Sequence, residues 1–305
     1  MSQLGRSNVN VNVNVAGGLA TAGVAVPARM NTFQFPKLIS RRSYPFDLPG
    51  DATAKEKELH AKAVDAARNL RFREYWDAEL QASVYVNEFV AKNPSWLEEL
   101  ATALEPGRKA LRKERDKQLQ EVMALSDERE ARFAEIIDQH TGEGALKYWL
   151  GMLMIDASSP RTLQLVHVGR RLGELVVMCL KDHFGEPRPS QVCPAIVPMI
   201  DPPITPAYPA GHALQSHLIS KLIEASYRVV SQSHVLFALS HRVAENRVVA
   251  GLHYPIDNEA GVVAAEAVYA KLMSDEAKLR CDKFRALLDA ARDENTPKPQ
   301  TEPEQ

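Results

Sequence analysis

The sequence predicts an all-α protein. Apolar residues recur at helical spacing through most of the chain, and no alternating apolar run of strand length repeats. Pro, Gly and small polar clusters fall where those periodic stretches start or stop. The 305 residues, 45% hydrophobic and 25% charged, supply a substantial core for one large domain or two small ones.

Residues 1–32 read as a disordered, low-complexity arm. The run "NVNVNVNV" alternates with period two, but Gly, Ala and Thr follow it and no partner strand is apparent. The weakly apolar "VAGGLATAGVAV" makes a poor export signal because of its glycines and the Asn repeats before it, so a cytoplasmic location is expected. Residues 33–140 form an N-terminal helical segment. Asp51 or Thr53 caps a helix that reaches about Lys92, and a short helix follows Pro94-Ser95. From Pro106 to about His140 a charged run carries Leu111, Leu119, Val122, Leu125, Phe133, Ile136 and Ile137. That spacing predicts a helix with one buried stripe, reaching toward a partner chain.

Residues 141–293 are expected to form a helical core opened by the breaker "TGEG" at 141–144. Helices are predicted over about 145–157, with Met152 and Met154 as core filler, and over about 161–184. A proline-rich loop spans 187–209, and helices follow at about 212–230, 233–252, 255–273 and 275–293. Residues 294–305 read as a solvated tail.

Lys+Arg at 37 against Asp+Glu at 39 excludes a general field for nucleic acid or membrane surfaces, so any anion site must be a local cluster. No apolar run approaches the ~18–20 residues of a membrane span, and a soluble protein is expected. Cys179, Cys193 and Cys281 form no CxxC pair, which argues against a zinc ribbon or disulfide framework and fits a reducing compartment. His60, His140, His167, His234 and His241 show no ligand spacing, so no metal site is expected from them.

Three clusters carry chemistry. In "KDHFGEPRP", Lys181 lies near a helix C-terminus and Arg188 precedes Pro189, which holds Arg188 on extended chain. In "PAYPAGHALQSH", an extended stretch ends at Gly211-His212 where a helix begins, and the first N–H groups of a helix favour an anion. In "NRVVAGLHYPID", Arg247 precedes His253 by six residues and Asp257 follows four later, with Pro255 placed to open a helix. Asp257 in the first turn can accept from one ring nitrogen of His253 and leave the other basic. Two arginines, a lysine and a helix N-terminus aimed at one point suit a tetrahedral oxyanion. His183 and His217 match no such role, and Tyr208 and Tyr254 are expected to pack beneath the loops.

The combination resembles the superfamily of type 2 phosphatidic acid phosphatases, bacterial class A acid phosphatases and vanadium-dependent haloperoxidases. Its signature is K-x6-RP, then PSGH, then SR-x5-H-x3-D. The matching residues here are Lys181, Arg188 and Pro189; Pro209, Gly211 and His212; and Arg247, His253 and Asp257, over about residues 145–273. Ala210 stands where the family has the serine of PSGH, and Asn246 where it has the serine before arginine. Loss of the first hydroxyl removes an oxyanion donor, a change worth about 2–4 kcal/mol in transition-state binding.

The resemblance implies a soluble helical bundle of the acid phosphatase/vanadium haloperoxidase type that hydrolyses phosphate esters through a phosphohistidine. Lys181, Arg188, Arg247 and the Gly211 N–H at the 210–211 turn would hold the phosphate oxygens. His253 would be the nucleophile, Asp257 its orienting partner and His212 the general acid/base. The partner is then a small phosphorylated substrate, no cofactor is needed, and a homodimer is an implied assembly. The short 35-residue interval between His212 and Arg247 suits the phosphatases. The loop "PAYPAGHA" is closer to the haloperoxidases, and in that alternative His253 ligates vanadate, His212 assists peroxide, and halide is oxidised. A second alternative is an impaired oxyanion-binding or scaffold protein, marked by Ala210.

Overall fold

Every regular element among the described residues is helical. The computed structural model describes residues 52–68, 77–140, 142–156, 158–227 and 233–296; the predicted arm at 1–32 lies outside them. The chain divides into two compact units, Met1–Trp76 and Asp77–Gln305. In the first, α1 (Ala54–Arg68) opens on a reciprocal cap. The Thr53 hydroxyl accepts from the Glu56 N–H, and the Glu56 carboxylate accepts from the Thr53 N–H at 2.8 Å.

The second unit begins with its own cap. Asp77 accepts from the Glu79 and Leu80 N–H groups at 2.9 and 3.3 Å and starts α2 (Ala78–Lys92), so the helix expected from Asp51 to Lys92 has a second origin inside it. There follow α3 (Trp96–Lys113), α4 (Arg115–Ala124), a 3-10 turn (Leu125–Glu128) and α5 (Arg129–Asp138). Next come α6 (Gly142–Met152), α7 (Pro160–Phe184) and the single turn α8 (Pro189–Val192). The chain ends with α9 (Gly211–Ser226), α10 (Ser233–Val249), α11 (Pro255–Leu272) and α12 (Asp282–Glu294). No helix of the described residues is long and apolar enough to cross a membrane.

Four expectations are corrected. The charged run after Pro106 is not one helix: it breaks at Glu114 and again through the 3-10 turn, so its stripe changes face. Leu111, Val122 and Ile136 are fully buried, whereas Phe133 and Ile137 are exposed. Met152 and Met154 are exposed too: α6 ends at Met152, and beyond it Leu153 and Ile155, not the methionines, turn into the core. The boundary placed at 140 lies inside one unit. Phe89, Trp96, Leu100, Leu104 and Leu111 share a single apolar cluster with Leu165, Leu172, Val176, Leu214 and Leu218. Finally, the tail does not begin at 294. The Glu294 carboxylate accepts from the Thr162 N–H at 2.8 Å, and the Asn295 amide donates to Ser226 Oγ at 3.2 Å.

Pro106 lies within α3, where proline lacks the N–H that a helix interior needs. From outside the helix, the Tyr208 hydroxyl docks on the backbone that brackets the proline, donating to the Leu104 carbonyl at 2.7 Å and accepting from the Arg108 N–H. Gly107 makes this approach feasible, since a Cβ there would lie 2.7 Å from that oxygen. The same tyrosine stands three residues before Gly211, so α3 anchors the loop that ends at α9.

Close packing of small residues then fixes the helices that carry the motifs. A Cβ at Gly169 or Gly173 of α7 would meet Ile219 or Gln215 of α9 at 2.9 and 2.8 Å. One at Gly261 of α11 would lie 2.7 Å from both the Ala210 carbonyl and Ala213 Cβ. Glu186, 1% exposed, accepts from Arg108, Arg112 and Arg115 at 2.9, 2.6 and 2.9 Å, pinning the chain after α7 to α3 and α4.

Candidate functional site

Lys181 lies in the last turn of α7, which Gly185 terminates in the left-handed region at φ 63. The chain then extends to Arg188 (φ −74, ψ 158) before Pro189 opens α8. Lys181 Nζ donates to the carbonyls of Pro206 and Ala207. Arg188 donates through Nε to the Thr205 carbonyl and through Nη1 to the Leu252 carbonyl, both at 2.9 Å. Arg247, in the last turn of α10 and 1% exposed, gives Nη2 to the Ile136 carbonyl at 2.8 Å. Its Nε and Nη1 are buried without a partner.

Pro255 is the first residue of α11 and places Asp257 in the first turn. Asp257 Oδ2 lies 3.0 Å from His253 Nδ1 and 3.0 Å from the Tyr254 N–H. A carboxylate oxygen accepts, so Nδ1 carries the proton and His253 Nε2 keeps its lone pair. Arg188 Nη1 stands 3.2 Å from that lone pair. The Ala210 N–H donates to the Asp257 carbonyl at 2.9 Å, tying α11 to the residue that caps α9. No side chain caps this helix end. Gly211 has ordinary space, with Val177 3.5 Å from a built Cβ, so its neighbours do not by themselves demand glycine. His212 Nε2 lies 3.0 Å from the Gln139 carbonyl.

Burial and mutual repulsion govern the titrations. Burial first, then Arg247, pushes His212 down to about 3, with His140 and Lys181 adding to the effect against the Gln139 bond. His253 falls well below its ordinary 6.5 through burial and the charges of Lys181, Arg188, His212 and Arg247. Burial lowers Arg188 and Arg247 to about 10 and pushes the Lys181 ammonium down. It pushes the Asp257 carboxyl up, against the Tyr254 N–H and the two nearest cations. Both histidines are therefore neutral at pH 7. Whether Lys181 and Asp257 are both ionised or both neutral, the cluster keeps a formal excess of two positive charges. Buried charge without a counter-charge is costly, and a doubly charged tetrahedral anion would offset this one.

The structure thus brings together Lys181, Arg188, Arg247, His253 and Asp257, with His212 close enough to act on His253 and Arg247. The carbonyls that organise them come from Ile136, Gln139, Thr205, Pro206, Ala207 and Leu252, none of which was expected in that role from the sequence. His183 is exposed beside the Phe184 ring, and His217 pairs with Glu266 Oε1 at 2.8 Å, so neither joins the cluster. Tyr208 and Tyr254 are fully buried. A cleft of about 410 Å³ between α9, α10 and α11 is lined by Ala213, Phe237, Ala244, Val248 and Pro255. The three cysteines are free thiols. In comparisons with known proteins, no protein-family model matches the chain and no curated protein matches it.

Proposed function

We propose that the chain is a phosphoric monoester hydrolase of the acid phosphatase/haloperoxidase bundle type, acting through a phosphohistidine. The observation that carries this reading is the buried Arg247 guanidinium, with Nε and Nη1 unpartnered among two further cations and two neutral histidines. Lys181, Arg188, Arg247 and the uncapped N–H groups at Gly211 would hold the phosphoryl oxygens. His253 Nε2 attacks phosphorus while Asp257 retains the Nδ1 proton. Binding of the anionic ester raises the His212 pKa, so His212 takes up a proton from solvent; as the P–N bond forms, the ester P–O bond breaks and the protonated His212 gives that proton to the leaving alkoxide. Water then attacks phosphorus, His212 takes its proton, and the P–N bond breaks to release inorganic phosphate and neutral His253. Arg188 would swing from Nε2 to a phosphoryl oxygen in the first step.

The test is hydrolysis of p-nitrophenyl phosphate without vanadate. The wild-type protein should release phosphate, and an alkaline denaturing quench from radiolabelled substrate, which preserves the acid-labile P–N bond, should leave label on His253. His253→Ala should lose turnover by at least about 10³-fold, the scale of removing a nucleophile. The same donors suit vanadate, and the Pro206–His212 loop keeps halide oxidation as the second reading. Dye bromination with vanadate and peroxide, in the absence of ester hydrolysis, would replace the first reading with the second. Anion binding with neither activity would leave the impaired protein.

A further inference from the structure

The end of α5 reaches the site through two backbone carbonyls, Ile136 to Arg247 and Gln139 to His212. Carbonyls at a helix C-terminus have no partner within the helix and must find one outside. Arg242 grips Glu135 with two bonds at 2.8 and 2.9 Å, and the contact that reaches Gln139 itself is made by Asn246, which directly precedes Arg247 and is fully buried. Its Nδ2 donates to Glu135 Oε2 and to Gln139 Oε1, each at 2.9 Å, and its Oδ1 accepts from Arg132 Nη1 at 3.2 Å. Both donors and the acceptor of the amide are thus spent on α5. Gln139, 1% exposed, receives the amide through its side chain and meets His212 through its main chain. A serine at position 246, as in the family signature, has a single O–H and could not span Glu135 and Gln139 together.

We propose that Asn246 and Gln139 are positioning residues that hold His212 as its Nε2–H tautomer. A carbonyl oxygen only accepts, so the Gln139 contact places the proton on Nε2 and makes Nδ1 the nitrogen available for proton exchange. The departure at 246 then has a purpose: it extends the α5–α10 clamp to Gln139 and keeps that carbonyl opposite the imidazole. The tautomer follows from the geometry alone. Its catalytic consequence deepens the phosphoryl-transfer reading and rests on it.

Long-range ¹H–¹⁵N spectra of the uniformly labelled full chain at pH 7, with His212 assigned by difference from His212→Gln, test the inference. Wild type should show a pyrrole-type Nε2 and a pyridine-type Nδ1. Asn246→Ser and Gln139→Ala should each give a tautomer mixture, and the double variant should be no worse than either single one. Gln139→Glu, which keeps the acceptor oxygen, should restore the wild-type pattern. With p-nitrophenyl phosphate, the two disruptive variants should lose at least tenfold in kcat with KM within threefold. A pyrrole-type Nδ1 in wild type overturns the proposal even if no variant folds. So does an unchanged single tautomer in both disruptive variants. If wild type hydrolyses no ester while the tautomer shifts as described, the positioning inference stands and the phosphatase reading falls.

Discussion

At the scale of single residues, the site is defined by groups kept from their ordinary ionisation. His212 and His253 are pushed down by burial and by Lys181, Arg188 and Arg247, so both are neutral across the range where a free histidine titrates. A bound anion reverses the sign of the nearest charge and raises both pKa values. Binding must therefore be linked to proton uptake, and more strongly as pH falls. Sulfate is the suitable probe, because it carries no exchangeable proton near neutrality. Calorimetric titration at pH 5, 6 and 7, in buffers of different ionisation enthalpy, should show uptake growing toward about one proton per site, with affinity rising in parallel. Binding without proton linkage would mean that the histidines stand apart from the anion.

At the scale of elements, the determining feature is the N-terminus of α9. Ala210 occupies the cap position at φ −74, ψ 123, a conformation in which serine would accept from the N–H of the second or third helical residue. Alanine cannot do this, so the first turn is left for a ligand at some cost in stability. Ala210→Ser is expected to raise stability by about 0.5–2 kcal/mol, measured as a higher urea midpoint at unchanged slope. The test has a steric condition, since Ala210 packs with Ala213 and Ala244; a lower midpoint would show that the hydroxyl finds no N–H there. The motif residues on these elements were legible because their local chemistry is written in neighbours. Gly185 ends α7 after Lys181, Pro189 extends Arg188, and Pro255 starts α11 before Asp257. The carbonyls of Ile136, Gln139, Thr205 and Leu252 were not legible, because a backbone carbonyl is chemically the same at every position. Nor was the course of residues 106–140. A single helical period spans the breaks at Glu114 and Leu125, and Pro106 reads as a start although the helix Trp96–Lys113 runs through it.

At the scale of the molecule, the motif-bearing helices and α2–α5 before them belong to one compact unit. Trp96, Leu100, Leu104 and Leu111 of α3 and Phe89 of α2 are each under a tenth exposed and belong to the cluster that holds α7 and α9. Each large side chain buried in this way is worth about 1.5–3 kcal/mol, so the five together rival the 5–15 kcal/mol by which an ordinary domain is stable. Removal of α2–α5 would also strip Glu186 of its three arginines, and Arg247 and His212 of their carbonyls. A buried charge deprived of its partner typically costs about 3–5 kcal/mol, so the losses reinforce one another. A chain of residues 77–305 should therefore unfold in one cooperative thermal transition and bind sulfate as the full chain does. A chain of residues 141–305, although it keeps Lys181, Arg188, His212, Arg247, His253 and Asp257, should show neither the transition nor the binding. Differential scanning calorimetry of the two truncations decides the matter. A sharp transition in the shorter chain would mean that the motif-bearing helices hold themselves together, and that α2–α5 are an addition to the site and not part of its foundation.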